Sequence, residues 1–271
     1  MEISFVKMEG AGNDFIMIDN LAGNLFLREK QIAALCDRHF GIGADGLMLL
    51  EYDPEKEYDA RMIYYNADGS RAEMCGNGAR CFTAFALERD LGDGEKLRIL
   101  SDAGPLTATC TGSLYTIELT QPKGVQTGLS LDLKDGPTTV HYADTGVPHV
   151  VRFVEDIQAI QIRPEGSELR FHPHFAPKGA NANFAQLQGS GKPILLRTYE
   201  RGVEDETLAC GTGVTAVAIL AHLVHGIALP VSVQVAGGDT LRVNFTQQGK
   251  QVVGVTLTGP ARQVFTGTIS L

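Results

Sequence analysis

Met74-Cys75-Gly76-Asn77-Gly78-Ala79 returns 135 residues later as Ala209-Cys210-Gly211-Thr212-Gly213-Val214. Each copy leads into an apolar segment with helical spacing. The first runs from Arg80 to Leu87 and is closed by Gly92; the second runs from Thr215 to Val224 and is closed by Gly226. Each half therefore carries one helix with Cys-Gly-x-Gly at its start. A fainter echo keeps nearly the same register, Gly12-Asn13-Asp14-Phe15-Ile16 against Gly146-Val147-Pro148-His149-Val150. The chain reads as a tandem duplication.

Short alternating segments surround these helices: Leu114 to Leu119, Ile194 to Tyr199, Leu241 to Phe245 and Val252 to Leu257, separated by Gly, Asp and Asn. Alternation bounded by turn residues is the mark of strands joined by tight turns. The expected fold is α/β (α+β): two pseudo-symmetric halves, each a curved, mainly antiparallel sheet or barrel around a central helix. A boundary falls near Gln121-Pro122-Lys123-Gly124, dividing residues 1–120 from 121–257.

The helix starts are where chemistry is expected. The first turn of a helix has N–H groups without intrahelical partners and a partial positive charge, so an anion is stabilised there. Glycines let a ligand approach that backbone. A cysteine at the same point has its thiolate favoured, which makes it a usable base. Two matched sites facing each other would place one thiol on each side of a bound carbon. One thiolate would remove a proton from one face while the other thiol donates to the opposite face, inverting a stereocentre without a cofactor.

Composition narrows the partners. The net charge of −9 and the lack of a Lys/Arg cluster argue against nucleic acid. No apolar run approaches a bilayer span and no signal-peptide core is visible, so a soluble, cytoplasmic protein acting on a small polar metabolite is expected. Five scattered cysteines do not form a disulfide framework. Cys36, Cys81 and Cys110 lack the glycine-rich context and read as packing residues. No metal site and no cofactor loop are legible: zinc spacing is absent, and Gly41-Ile42-Gly43-Ala44-Asp45-Gly46 reads as a tight turn rather than a dinucleotide loop.

Four motifs resemble the diaminopimelate epimerase family over essentially the whole chain. They are Lys7-Met8-Glu9-Gly10-Ala11-Gly12-Asn13-Asp14-Phe15; Tyr65-Asn66-Ala67-Asp68-Gly69-Ser70 with Met74 to Arg80; Tyr199-Glu200-Arg201-Gly202; and Ala209-Cys210-Gly211-Thr212-Gly213. The resemblance implies an isomerase, independent of pyridoxal phosphate, that interconverts LL- and meso-diaminopimelate in lysine and peptidoglycan precursor synthesis. It implies a homodimer and a C-terminal tail, about 258–271, that returns to the first half. It assigns acid and base to Cys75 and Cys210, thiol tuning to His149 and Glu200, and the reacting carboxylate to Gly76, Asn77, Gly211 and Thr212. The substrate's second amino-acid end falls to Asn13, Asn66, Asn181, Glu200 and Arg201, a set that supplies donors and acceptors together.

The chain departs from the family at Val147, where Asn is common, and at Gly46, where some relatives carry Gln. Proline, hydroxyproline and histidine racemases share the two-thiol logic and differ at the distal pocket. A fold relative without the thiols, acting on aromatic metabolites, and a binding module with two fortuitous cysteines are the other readings.

Overall fold

The computed structural model describes residues 2–271. In chain order the elements are β1 (Glu2–Gly10), β2 (Asn13–Asp19), α1 (Glu29–Cys36), β3 (Gly46–Glu51), β4 (Ala60–Asn66), β5 (Arg71–Ala72), α2 (Gly76–Leu87), β6 (Lys96–Ser101), β7 (Gly104–Thr111) and β8 (Leu114–Glu118). There follow β9 (Lys123–Leu133), β10 (Gly136–Asp144), β11 (Pro148–Phe153), α3 (Ile162–Arg170), β12 (Asn181–Gln186), β13 (Ile194–Glu200), β14 (Asp205–Thr207), α4 (Gly211–His225), β15 (Val231–Gln234), β16 (Thr240–Gln248), β17 (Gln251–Pro260) and β18 (Arg262–Ser270). Two compact units result, one of residues 1–118 and 258–271, the other of residues 119–257.

The two units repeat one topology. In the first, β1 pairs with β18 and with β2 antiparallel, β2 runs parallel to β3, and β3 pairs antiparallel with β4. In the second, β10 pairs with β9 and with β11 antiparallel, β11 runs parallel to β12, and β12 pairs antiparallel with β13. A short strand, β5 or β14, folds back antiparallel before the central helix in each, and the crossover then returns the chain parallel to β4 as β6 and parallel to β13 as β15. These parallel pairs were not legible in the alternating segments, because a strand's own pattern does not name its partner's direction. They follow from a helix carrying the chain back across the sheet.

Each sheet has two faces in use, as the alternation of side chains along a strand requires. In the first unit, Ile16 and Ile18 of β2 join Ile32 and Leu35 of α1 on one face. The other face covers α2, which packs on β1, β2, β7 and β8 and is buried from Asn77 to Ala86. The second unit sets Val150 and Phe184 against Ile162 and Leu169 of α3, while α4 packs on β10, β11, β15 and β16. Helix α4 is buried on every side from Val214 to Ala221 and apolar there except for Thr215, whose hydroxyl bonds the Gly211 carbonyl, the composition of a helix enclosed by its sheet.

Gly226 ends α4 in the left-handed conformation, with φ of 66°. Gly92 does not do the same for α2. That helix stops at Leu87, and the first left-handed residue after it is Asp90, with φ of 58°, two residues before Gly92 at 79°. Gly92 lies in the next turn, where a Cβ would stand 2.3 Å from the Lys96 carbonyl oxygen. The segment from Gly41 to Gly46 is a turn that feeds a strand rather than a helix, so it has no helix start to hold a phosphate.

Candidate active site

Cys75 and Cys210 are the N-cap residues of α2 and α4, both extended, with φ,ψ of −139°,122° and −123°,106°. Neither side chain caps its own helix. The first i to i−4 bonds are Ala79 N–H to the Cys75 carbonyl at 2.7 Å and Val214 N–H to the Cys210 carbonyl at 2.9 Å. Residues 76–78 and 211–213 thus supply the N–H groups that a helix start directs outward.

The second glycine of each motif has a packing task that the sequence did not reveal. A Cβ on Gly213 would meet Asn183 Oδ1 at 2.6 Å, and one on Gly78 would meet the Met48 methyl at 2.1 Å. These glycines bring the helix onto its sheet.

Around Cys75, side-chain amides form a relay. Asn77 Nδ2 donates to Asn13 Oδ1 at 2.5 Å, and Asn13 Nδ2 donates to Asp45 Oδ2 at 3.0 Å. Behind Asn77 lies Arg80, wholly buried, with Nη2 donating to Asn77 Oδ1 at 3.0 Å and Nε to the Pro260 carbonyl at 3.1 Å. The returning tail therefore holds a buried guanidinium in its own unit. Beside Asp45, Asp14 takes two bonds from Arg38 and an ion pair from Lys7 at 2.9 Å. Burial pushes the Asp14 carboxyl up, but its bonds to Arg38 and Lys7 outweigh that and bring it down to about 2. Asn66 stands at the exposed end of β4, its amide donating to Ser70 Oγ at 3.1 Å.

Around Cys210 the neighbours are different. Thr212 Oγ1 is 3.4 Å from Cys210 Sγ and 2.9 Å from His149 Nε2. His149 is fully buried, and burial, with the Arg201 charge behind it, lowers its pKa to about 3. The ring is neutral at ordinary pH and reaches the thiol by way of Thr212. Asn181 Oδ1 accepts from the Arg201 backbone N–H at 2.8 Å, and Glu200 Oε2 accepts from Thr207 at 2.7 Å.

The ladders relate the two sets. Phe15, Gly46 and Asn66 lie abreast across β2, β3 and β4. His149 and Asn181 lie abreast in β11 and β12, and Glu200 is one residue past the Ala182–Tyr199 pair. Asn66 and Glu200 thus hold corresponding places, as do Gly46 and Asn181. Gly46 has no room for a side chain in this packing: a Cβ would stand 2.6 Å from the Tyr65 carbonyl oxygen and 2.7 Å from the Tyr64 ring.

Asn183, Thr145 and Thr198 lie outside the motifs, and Arg80, the last residue of one, had no role assigned from the sequence. A signal existed for two of them. Asn183 sits in the apolar run Ala180 to Ala185, and Arg80 in the apolar helix; a buried polar group at such a place needs a built partner. The remaining cysteines divide. Burial pushes the Cys36 thiol up to about 12 and the Cys81 thiol up as well, so both stay protonated and inert. Cys110 is not core: it is half-buried in β7, its thiol 3.4 Å from the Gly112 carbonyl oxygen.

Among the described residues, no three or more His, Cys, Asp or Glu side chains are grouped to hold a metal ion, and no helix is long and apolar enough to cross a membrane.

Two topologically matched units, each with a cysteine capping its enclosed helix, define the class of two-unit α/β isomerase-like folds. The chain belongs to the diaminopimelate epimerase family. The model of that family, diaminopimelate epimerase, matches residues 5–121 and 141–264. The chain is 41% identical to diaminopimelate epimerase of Aquifex aeolicus (99% of this chain, 98% of that one). It is 40% identical to that of Chlorobaculum tepidum (97% and 100%). Among solved structures the fold is similar to a phenazine biosynthesis protein of the PhzF family from Bacillus anthracis, with a TM-score of 0.72 at 15% identity and complete coverage of both chains. It is also similar to a hydroxyproline epimerase from Agrobacterium vitis, at 0.69 and 17%, covering 99% of this chain and 91% of that one.

Proposed function

We propose that the chain interconverts LL- and meso-diaminopimelate by two-base proton exchange, with Cys75 and Cys210 as acid and base. The observation that carries this reading is the matched capping of α2 and α4 by cysteine in two units of one topology. The chemistry requires both thiols to reach one α-carbon. A thiolate takes the α-hydrogen as a proton, the electron pair moves toward the carboxylate, and the opposite thiol returns a proton to the other face. The N–H groups of residues 76–78 and 211–213 stabilise the carboxylate as its charge grows. No electron sink beyond these groups enters the scheme.

The second amino-acid end of the substrate is assigned to Asn13, Asn66, Asn181, Glu200 and Arg201. Support comes from the corresponding places of Asn66 and Glu200, which put one polar group at the same ladder position in each unit. Arg201 suits a carboxylate and Glu200 an ammonium. We assign the protein to a reducing cytoplasm, which keeps both thiols competent, and to a homodimer, as the family resemblance implies.

Incubation of reduced protein with LL-diaminopimelate in deuterated water tests the reading. Deuterium at Cα together with appearance of the meso form is expected. Absence of exchange, with both thiols titrating as reduced, would move the assignment to a racemase of another amino acid.

A further inference from the structure

A buried polar line leads from the sheet of the second unit to the Cys210 thiol, and the carbonyls at its far end constrain which way its donors point. Asn183 Nδ2 lies 3.0 Å from the Val150 carbonyl oxygen and 3.2 Å from that of Asn181. Carbonyls only accept, so the nitrogen of the amide must face them. Asn183 Oδ1, on the other side, accepts from the Thr198 hydroxyl at 3.0 Å. With the amide so oriented, its two hydrogens are shared among three acceptors, His149 Nδ1 at 3.1 Å being the third, and a hydrogen on Nδ1 would point straight at the NH2 group. His149 Nδ1 is then a lone-pair acceptor, and the proton of the neutral ring sits on Nε2.

That proton faces Thr212 Oγ1 at 2.9 Å, so the imidazole donates and the hydroxyl accepts. The hydroxyl keeps one hydrogen of its own, and Cys210 Sγ lies 3.4 Å away to receive it. The Thr145 hydroxyl donates to the Thr212 carbonyl at 2.9 Å and steadies the backbone beneath the relay. Arg201 is the charged group acting on His149, and it works against an imidazolium that would change the pattern.

We propose that Asn183 sets the Nε2–H tautomer of His149, which turns the Thr212 hydroxyl hydrogen toward Cys210 Sγ and favours its thiolate. Asn183 and Thr212 are positioning residues in this scheme, acting through His149 and on the sulfur. Their bearing on epimerisation rests on the proposed two-thiol reaction, whereas the ionisation of Cys210 does not. At the helix start of the first unit Asn77 meets Asn13, an amide, where Thr212 meets an imidazole. The two thiols should therefore titrate differently although their helices match.

The test is the pH profile of iodoacetamide alkylation, with Cys75 and Cys210 read separately by peptide mass spectrometry. Thr212→Val removes the hydroxyl at constant shape and should raise the Cys210 midpoint by about one pH unit, the size of one hydrogen bond to a charged sulfur. Thr212→Ser should restore it, and the Cys75 midpoint should stay in place throughout. An unmoved Cys210 midpoint in Thr212→Val, or the same shift in Thr212→Ser, would overturn the proposal. Nitrogen-15 NMR of the unaltered protein gives an independent check: the unprotonated nitrogen of His149 should be Nδ1, and finding it at Nε2 would refute the relay. A shifted thiol profile in a protein inactive on diaminopimelate would leave the relay standing and remove the substrate assignment.

Discussion

Arg80 Nη2 lies 3.0 Å from Asn77 Oδ1, and through that bond a wholly buried cation fixes the direction of an amide at the start of α2. Because Arg80 takes the amide oxygen, Asn77 must present its nitrogen to Asn13, and Asn13 in turn presents its own to Asp45. Arg80 also binds the Pro260 carbonyl, so the returning tail and the site share one anchor. Lysine cannot make these directed bonds from one ammonium. Arg80→Lys should cost about 2–3 kcal/mol of stability, because buried acceptors lose their partners. Urea denaturation at neutral pH measures this, and a loss below about 0.5 kcal/mol would show the anchor to be dispensable.

The glycines of the two motifs should differ in tolerance. At Gly213 a Cβ would meet Oδ1 of Asn183, an amide held by Thr198 at its oxygen and by Val150, Asn181 and His149 at its nitrogen, whereas at Gly78 it would meet the end of the flexible Met48 side chain. Alanine gains about 1 kcal/mol in helix propensity over glycine at either place. Gly78→Ala is expected to stay within about 1 kcal/mol of the parent, while Gly213→Ala should lose about 1–3 kcal/mol from overpacking. Thermal melts of the pair compare them directly; equal losses would mean the Asn183 cluster is soft.

How much of this was legible beforehand divides along physical lines. The duplication, the enclosed helices and the strand periodicity are local patterns, and all appear in the structure, β8 and β13 among them. The parallel pairs of β2 with β3 and β11 with β12 were not legible, since register depends on residues far apart in sequence. At the site, motif residues could be named, but their partners could not: Asn183 and Thr145 belong to no motif, Arg80 closes one without a role of its own, and all three matter through contact. Gly92 was misread because a glycine near a helix end is a common stop, yet Asp90 adopts the left-handed turn first.

His149 should leave a mark on acid stability. Its ordinary value of 6.5 is lowered to about 3 in the folded protein, by burial first and then by Arg201. The unfolded chain therefore binds a proton below pH 6.5 that the folded chain refuses, so stability falls as pH drops from 6.5 toward 3. The slope is about 1.4 kcal/mol per pH unit for one group. His141 is lowered by burial too, so the isolating measurement is a difference. Between pH 6 and 4.5, His149→Gln should lose stability less steeply than the parent by about that slope. Parallel curves would mean His149 takes up its proton without unfolding.

Replacing either thiol should separate chemistry from folding. Cys75 caps α2 through its backbone, and Cys210 does the same for α4, so alanine keeps both helix starts. Cys75→Ala and Cys210→Ala are each expected to abolish epimerisation while the circular dichroism spectrum and melting profile remain near the parent's. Deuterium entry at Cα without inversion in one variant would identify the thiol that removes the proton from the remaining face. Full activity in either single variant would sink the two-base scheme.

Val147 gives the last prediction, and it concerns specificity rather than rate. By the motif echo Val147 stands where Asn13 stands in the first unit, just before the Pro148-His149 start of β11, and it is half-buried there. Asn13 has an amide that joins a polar relay; valine offers the equivalent place nothing to donate or accept. The backbone at this turn is held by Thr145 N–H on the Val147 carbonyl at 3.2 Å, a bond that asparagine would keep. Val147→Asn should therefore add one hydrogen bond to the distal amino-acid end without moving the turn. A gain of about 1 kcal/mol corresponds to roughly a fivefold fall in KM with kcat unchanged. A change in kcat instead would place Val147 beside the reacting carbon, and no change in either would put the distal end of the substrate elsewhere.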